Sequence, residues 1–246
     1  MAQTLPSPGK PAERGVHEGR PYLVWLPRKR EPPWPGMVIV HGAGSQKENH
    51  GDFGRACAAA GWAALAYDQR GHGASDDEMS PRAVSDAAVM ARFLADRPEV
   101  DAGRVCIRGS SMGGFVAIHA AATSGAIAGV VAICPASEQH LLRGLRDDTL
   151  EFRAGPEARA DLRAWLGEHD LREAVELIGE RPLLLIHADG DERIPAESSR
   201  ELHRRATTPA KKLIVLPGGH HRSAQHDPEL QGIALRWLAR SLPRRR

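Results

Sequence analysis

Ser111 is the hydroxyl in this chain with a structural reason to react. It sits at the centre of Gly109-Ser110-Ser111-Met112-Gly113, a Gly-x-Ser-x-Gly pentapeptide. A short β-type run, Val105 to Ile107, leads in, and a small apolar stretch through Phe115, Ala117, Ile118 and Ala120 leads out. Strand, sharp turn and helix in that order would expose the Ser111 hydroxyl above the end of a sheet. Ser110 would face the other side of the turn. The two glycines lack a Cβ, so backbone can pass closely on either side. The Met112 amide, at the helix start, would point to where a negative oxygen forms.

A serine hydroxyl is a poor nucleophile. It needs a base, and the base needs an acid to orient it. Two later loops carry such groups. The apolar run Pro182 to Ile186 enters His187-Ala188-Asp189-Gly190-Asp191-Glu192-Arg193-Ile194-Pro195, with Asp189 and Asp191 as candidate acids. The run Leu213 to Leu216 enters Pro217-Gly218-Gly219-His220-His221, with two candidate bases. His203, in a charged helix, and His226, just before a helix cap, read as surface residues.

The elements that must position these groups follow from periodicity. Met37 to Val40 is a continuous apolar run, as in a strand buried on both faces, and ends in His41-Gly42-Ala43-Gly44. Trp62 to Tyr67 and Gly129 to Cys134 read as further strands, and Arg20 to Leu26 as an earlier one. Helices are expected at Gly51 to Ala60, after Ser80-Pro81, at Ala196 to Arg205, and after Asp227-Pro228. Strands alternating with helices predict an α/β architecture with a mostly parallel sheet of about eight strands. Residues 1–18, rich in Pro, Gly and charge, read as a loose leader. Residues 135–181 are charged, with short amphipathic pieces, and too long for a simple connection. They read as a small helical cap inserted into a core formed by 19–134 and 182–246.

These motifs resemble those of the α/β-hydrolase family. The resemblance spans roughly residues 20 to 242 and is strongest in the elbow, in His41-Gly42-Ala43, and in Asp68-Gln69-Arg70-Gly71-His72-Gly73-Ala74-Ser75. It implies the α/β-hydrolase fold and a triad in the chain order serine, acid, histidine. The family's acid stands three residues before an aliphatic-Pro pair, which selects Asp191 over Asp189. The family commonly places Gly three residues before its base, which selects His221; Gly directly before the base would select His220 instead. The second oxyanion donor carries over to the amide of Ala43, beside that of Met112. His72 is then a loop-packing residue. The implied activity is that of a serine carboxylesterase on small-molecule esters, through an acyl-enzyme, with no metal or organic cofactor. A charged cap and a chain only 4% aromatic point to short acyl groups, about two to six carbons. A thioesterase, an acyltransferase or a small serine peptidase would use the same residues. A binding protein that keeps the fold would need none of them.

Composition narrows the setting. The chain has 246 residues, 41% apolar and 26% charged, with net charge +2, too small to argue for nucleic acid. The basic cluster Arg240 with Arg244-Arg245-Arg246 reads as a solvated tail. Cys57, Cys106 and Cys134 are widely spaced and odd in number; they read as free buried thiols, with no metal-ligand spacing. No run of membrane-spanning length and no signal-peptide core is present, so a cytosolic enzyme is expected.

Overall fold

A computed structural model describes residues 10–243. Eight strands form one sheet: β1 (Glu13–His17), β2 (Arg20–Trp25), β3 (Trp34–Val40), β4 (Ala63–Tyr67), β5 (Val100–Ser110), β6 (Gly129–Ile133), β7 (Leu183–Ala188) and β8 (Lys211–Leu216). Their order is β1-β2-β4-β3-β5-β6-β7-β8. The β1–β2 and β2–β4 pairs are antiparallel, and every pair from β4 through β8 is parallel. The parallel strands β3 to β7 are apolar and buried nearly throughout, because helices cover both faces. Those helices are α1 (Gly51–Ala60), α2 (Ala83–Ala95), α3 (Met112–Thr123), α4 (Glu138–Arg146), α5 (Pro156–Gly167), α6 (Leu171–Leu177), α7 (Ala196–Arg205) and α8 (Pro228–Ser241). This is the α/β-hydrolase fold.

One core cluster lies under α2, α3 and α6, around Val38, Leu65, Ile107, Val116, Val130 and Leu185. The other lies under α1 and α8, around Ile39, Phe53, Val131, Ile186 and Leu238. Alternate residues of each strand feed the two clusters, as the period of two requires.

Two expectations are corrected. Residues 13–17, assigned to the loose leader, form β1 and pair in register with β2, Glu13 opposite Val24 and His17 opposite Arg20. Residues 1–9 of that leader, and Arg244 to Arg246 of the basic tail, lie outside the described residues. The segment expected as one cap is also divided. Helices α4 and α5 pack on each other, but α6 packs on α3 and α7 as a flanking helix of the sheet. The excursion from the core is therefore α4, α5 and their linker. Its two ends are tied: the Glu138 carboxylate, at the start of α4, accepts the Leu171 amide at 3.0 Å. Trp165 of α5 seats the excursion on α3, edge-on to Phe115 and to His119, and His169 stacks on its outer face at 3.9 Å.

Candidate active site

Ser111 follows the last residue of β5 and stands at φ 54°, ψ −122°, a backbone state that a side chain rarely adopts. Four main-chain hydrogen bonds hold it there. Its amide donates to Ile133 O at 2.9 Å, and its carbonyl accepts from Gly114, Phe115 and Ala136 at 2.9 to 3.2 Å. A Cβ on Gly109 would collide with the Gly113 carbonyl, and one on Gly113 with the carbonyls of Val40 and His41. The elbow therefore tolerates only glycine at both places. Ser110 turns into the core and is buried, while Ser111 faces a cavity.

The parallel register brings the other loops to the same end of the sheet. Val40 pairs with Gly109, Ser110 with Ile133, Ile133 with Ile186 and Ala188 with Leu216. The loops after β3, β5, β7 and β8 thus converge. Asp191 receives His221 Nδ1 on Oδ2 at 2.8 Å and the amides of Arg193 and Ile194 on Oδ1, both at 2.9 Å. Burial alone would raise this carboxyl. The hydrogen bonds from His187, His221 and the two amides outweigh it and hold Asp191 well below the usual carboxylate range. Asp191 is therefore an anion wherever the protein is folded.

His221 is nearly buried and lines the cavity with Ser111; among the described residues no hydrogen bond joins the two. Such contacts are often long before substrate binds. His220 turns outward, exposed, and accepts the Arg222 amide on Nδ1 at 3.3 Å. Asp189 is exposed and pairs with Arg200 at 3.0 Å. The structure thus brings Asp191 and His221 together and leaves Asp189 and His220 apart.

The amides of Met112 and Ala43 donate to no acceptor among the described residues. Ala43 lines the cavity beside Ser111. Its loop is braced by His41, fully buried, whose Nδ1–H donates to Gly42 O at 2.8 Å and whose Nε2 accepts the Gln69 amide at 3.1 Å. Burial first, and then the neighbouring His72, lower the His41 imidazole to about 4, so it stays neutral and keeps both bonds. His72 packs edge-on to His41 and bonds Arg70 O, a loop-packing role.

Three features were not read from the sequence. His187, at the buried end of β7, stands 3.4 Å from Asp191 Oδ2 through Nε2. The same nitrogen meets Ile194 O at 2.9 Å, and Nδ1 meets Ser199 Oγ at 2.6 Å. With the proton on Nε2, His187 donates to Ile194 and Asp191 and accepts from Ser199. Cys134, just past β6, places its thiol near Asp191 and His221; the three donor atoms lie within 4.8 Å of one another. That is the one cluster with metal-binding proximity among the described residues. Burial pushes the Cys134 thiol up to about 12, so it is protonated. Third, the buried Arg108 guanidinium donates to Gln225 O at 2.7 Å and to His50 Nδ1 at 3.0 Å. It ties the loop carrying His221 to the strand carrying Ser111. A single charged residue closing the apolar run Val105 to Ile107 was the only signal for it.

The cavity above Ser111 is about 690 Å³. Its floor holds Gly42, Ala43, Ser111 and His221, and its wall includes His140, Arg143, Glu151, Arg193 and Arg222. A separate apolar niche of about 30 Å³ lies beside it, lined by Met112, Phe115, Leu145, Trp165 and others, with Leu141 and Leu150 shared between the two.

Residues 32–149, just under half of the chain, match the family described as serine aminopeptidase, S33. An uncharacterised protein of Mycobacterium tuberculosis is 27% identical over 199 residues, covering 80% of this chain. The chain spans 64% of the length of that relative. Among solved structures, Est1E from Butyrivibrio proteoclasticus, crystallised with ferulic acid, superposes with TM-score 0.75 at 20% identity, covering 94% of this chain and 99% of that one. A monoglyceride lipase from Saccharomyces cerevisiae gives TM-score 0.71 at 14% identity, covering 98% and 99%. A monoacylglycerol lipase from Paleococcus ferrophilus gives 0.68 at 21%, covering 93% and 99%. With an eight-stranded sheet of this order, a serine elbow after β5 and this agreement in fold, the chain has the α/β-hydrolase fold, and just under half of it matches a family model of that fold.

Proposed function

We propose that the protein is a serine hydrolase of carboxylic esters. The observation that carries this reading is the strained Ser111 in one cavity with a His221 held at 2.8 Å by a buried carboxylate. Ser111 Oγ attacks the ester carbonyl carbon while His221 Nε2 takes its proton. Asp191 keeps the imidazole proton on Nδ1 and stabilises the imidazolium that forms. The carbonyl oxygen, now negative, is received by the Met112 and Ala43 amides. His221 then gives its proton to the leaving alcohol oxygen, and the tetrahedral adduct collapses to an acyl-enzyme. Water attacks that ester by the same route and releases the acid with Ser111 restored.

Ester rather than amide is favoured by the lipases and the ferulic acid complex among the similar folds; the peptidase description of the matched family is the competing reading. Short acyl groups are favoured by the niche, since about 30 Å³ receives only a few carbons, while the larger cavity is lined by polar and apolar residues alike. Three buried free cysteines suit a reducing, cytosolic setting. No helix among the described residues is long and apolar enough to cross a membrane.

The experiment is turnover of nitrophenyl esters of rising acyl length, with fluorophosphonate labelling, by wild type and Ser111→Ala. Labelling of the wild type alone and a maximum between about two and six carbons are expected. An unlabelled wild type would point to a binding protein. Cleavage of aminoacyl amides in preference to every ester would favour the peptidase.

A further inference from the structure

The cavity over Ser111 carries a charge pattern that hydrolysis of a neutral ester does not require. Three exposed arginines line it from three different elements: Arg143 from α4, Arg193 from the loop after β7, and Arg222 from the loop after β8. The two carboxylates on the same wall are Asp147 and Glu151. Asp147 meets Arg146 at 2.8 and 3.2 Å between exposed side chains, and Arg143 also adds its charge to that of Arg146 around it. Glu151 lies against Gly44. Arg193 meets only Glu192, at 3.8 Å between exposed side chains, a contact that water screens. Arg143 and Arg222 form no ion pair among the described residues. His140 and His226 also line the wall.

A guanidinium stays charged at any working pH, and its fork fits the paired oxygens of a carboxylate or phosphate. Unpaired arginines around a concave site also raise the local concentration of anions. The apolar niche that suits an acyl chain shares Leu141 and Leu150 with this cavity and has none of the three arginines in its lining. We propose that the substrate carries an oxyanion, carboxylate or phosphate, on its alcohol portion, and that Arg143, Arg193 and Arg222 form the subsite that receives it. This rests on the ester-hydrolase reading of the same cavity.

The first test compares butyrate esters of 4-hydroxybenzoate and of 4-hydroxybenzamide, near-isosteres that differ in one charge. A third ester carries phosphate in place of the carboxylate. At low ionic strength the charged esters should show kcat/KM at least about tenfold above the amide, and 0.5 M NaCl should erase most of that ratio. In Arg143→Gln and Arg222→Gln the charged-to-neutral ratio should fall several-fold, mainly through KM. Preference for carboxylate over phosphate, or the reverse, identifies the oxyanion. A second test removes the chemistry: calorimetric titration of Ser111→Ala with 4-hydroxybenzoate and 4-hydroxybenzamide. Tighter binding of the anion, lost in the added Arg143→Gln/Arg222→Gln pair, supports the subsite. Equal binding of anion and amide, or a ratio that the arginine variants do not move, overturns it. If no ester is turned over, the hydrolase reading fails and the titration still decides the subsite.

Discussion

Asp191 holds more than His221, the base we propose. Its Oδ2 faces two imidazoles, His221 at 2.8 Å and His187 at 3.4 Å. The donor from His187 draws negative charge away from the oxygen that His221 uses. In His187→Leu, which removes that donor, kcat should fall about tenfold because Asp191 loses one of the contacts that orient it. A wild-type kcat in that variant would mean that His187 does not position Asp191. His220 and His221 give a cleaner contrast. His221→Ala should lose several orders of magnitude in nitrophenyl ester turnover, because triad members act as a unit, and His220→Ala less than about tenfold. Equal losses, with circular dichroism showing both folded, would contradict the assignment.

Ser111 was legible because strand, turn and helix are local patterns. The selection of Asp191 and His221 needed the family's loop spacing, since adjacent candidates looked equivalent. Cys134 was legible as a buried free thiol, but its place beside Asp191 and His221, and that of His187, were not. Each lies at the end of an apolar strand, and its meaning comes from a loop that the chain reaches much later.

Arg108 links two elements at a cost. It lies wholly buried with no carboxylate in contact, and burial lowers its pKa to about 10. Replacing such a charge with an apolar side chain is often neutral for stability, because the desolvation penalty disappears. Its bond to Gln225 O, however, is what fixes the His221 loop to β5. Arg108→Met should therefore cut turnover by about tenfold or more while the melting temperature changes little. A parallel fall in both would mean that the arginine serves the core rather than the loop.

The same distinction explains the two misread elements. β1 carries charge on both sides of Val16, so its pairing with β2 leaves no alternation strong enough to read. The pieces around α5 and α6 have the same kind of amphipathic pattern. Only the surface each one meets, cap or sheet, separates them.

Folding hides several histidines without their protons. Burial first, then a second imidazole, lowers His41 and His119 to about 4 from an ordinary 6.5. Between those values the unfolded chain binds protons that the folded one refuses. The stability from each group is present above about pH 6.5 and is lost as pH falls toward 4, at about 1.4 kcal/mol per pH unit within the window. Urea unfolding at pH 7.5, 5.5 and 4.5 should show this loss. His119→Leu should flatten it by about one proton's worth, since His119 is buried on α3 against the Trp165 of the excursion. An unchanged slope in that variant would mean that His119 is protonated in the folded state.

The hydrogen bond between Glu138 and Leu171 makes the excursion a detachable cassette. The chain leaves and re-enters the core at one point, with Ser111 already laid down upstream and Asp191 and His221 still to come. Exchanging that cassette would replace His140 and Arg143 in the cavity wall and leave Arg193 and Arg222, in the loops after β7 and β8, where they are.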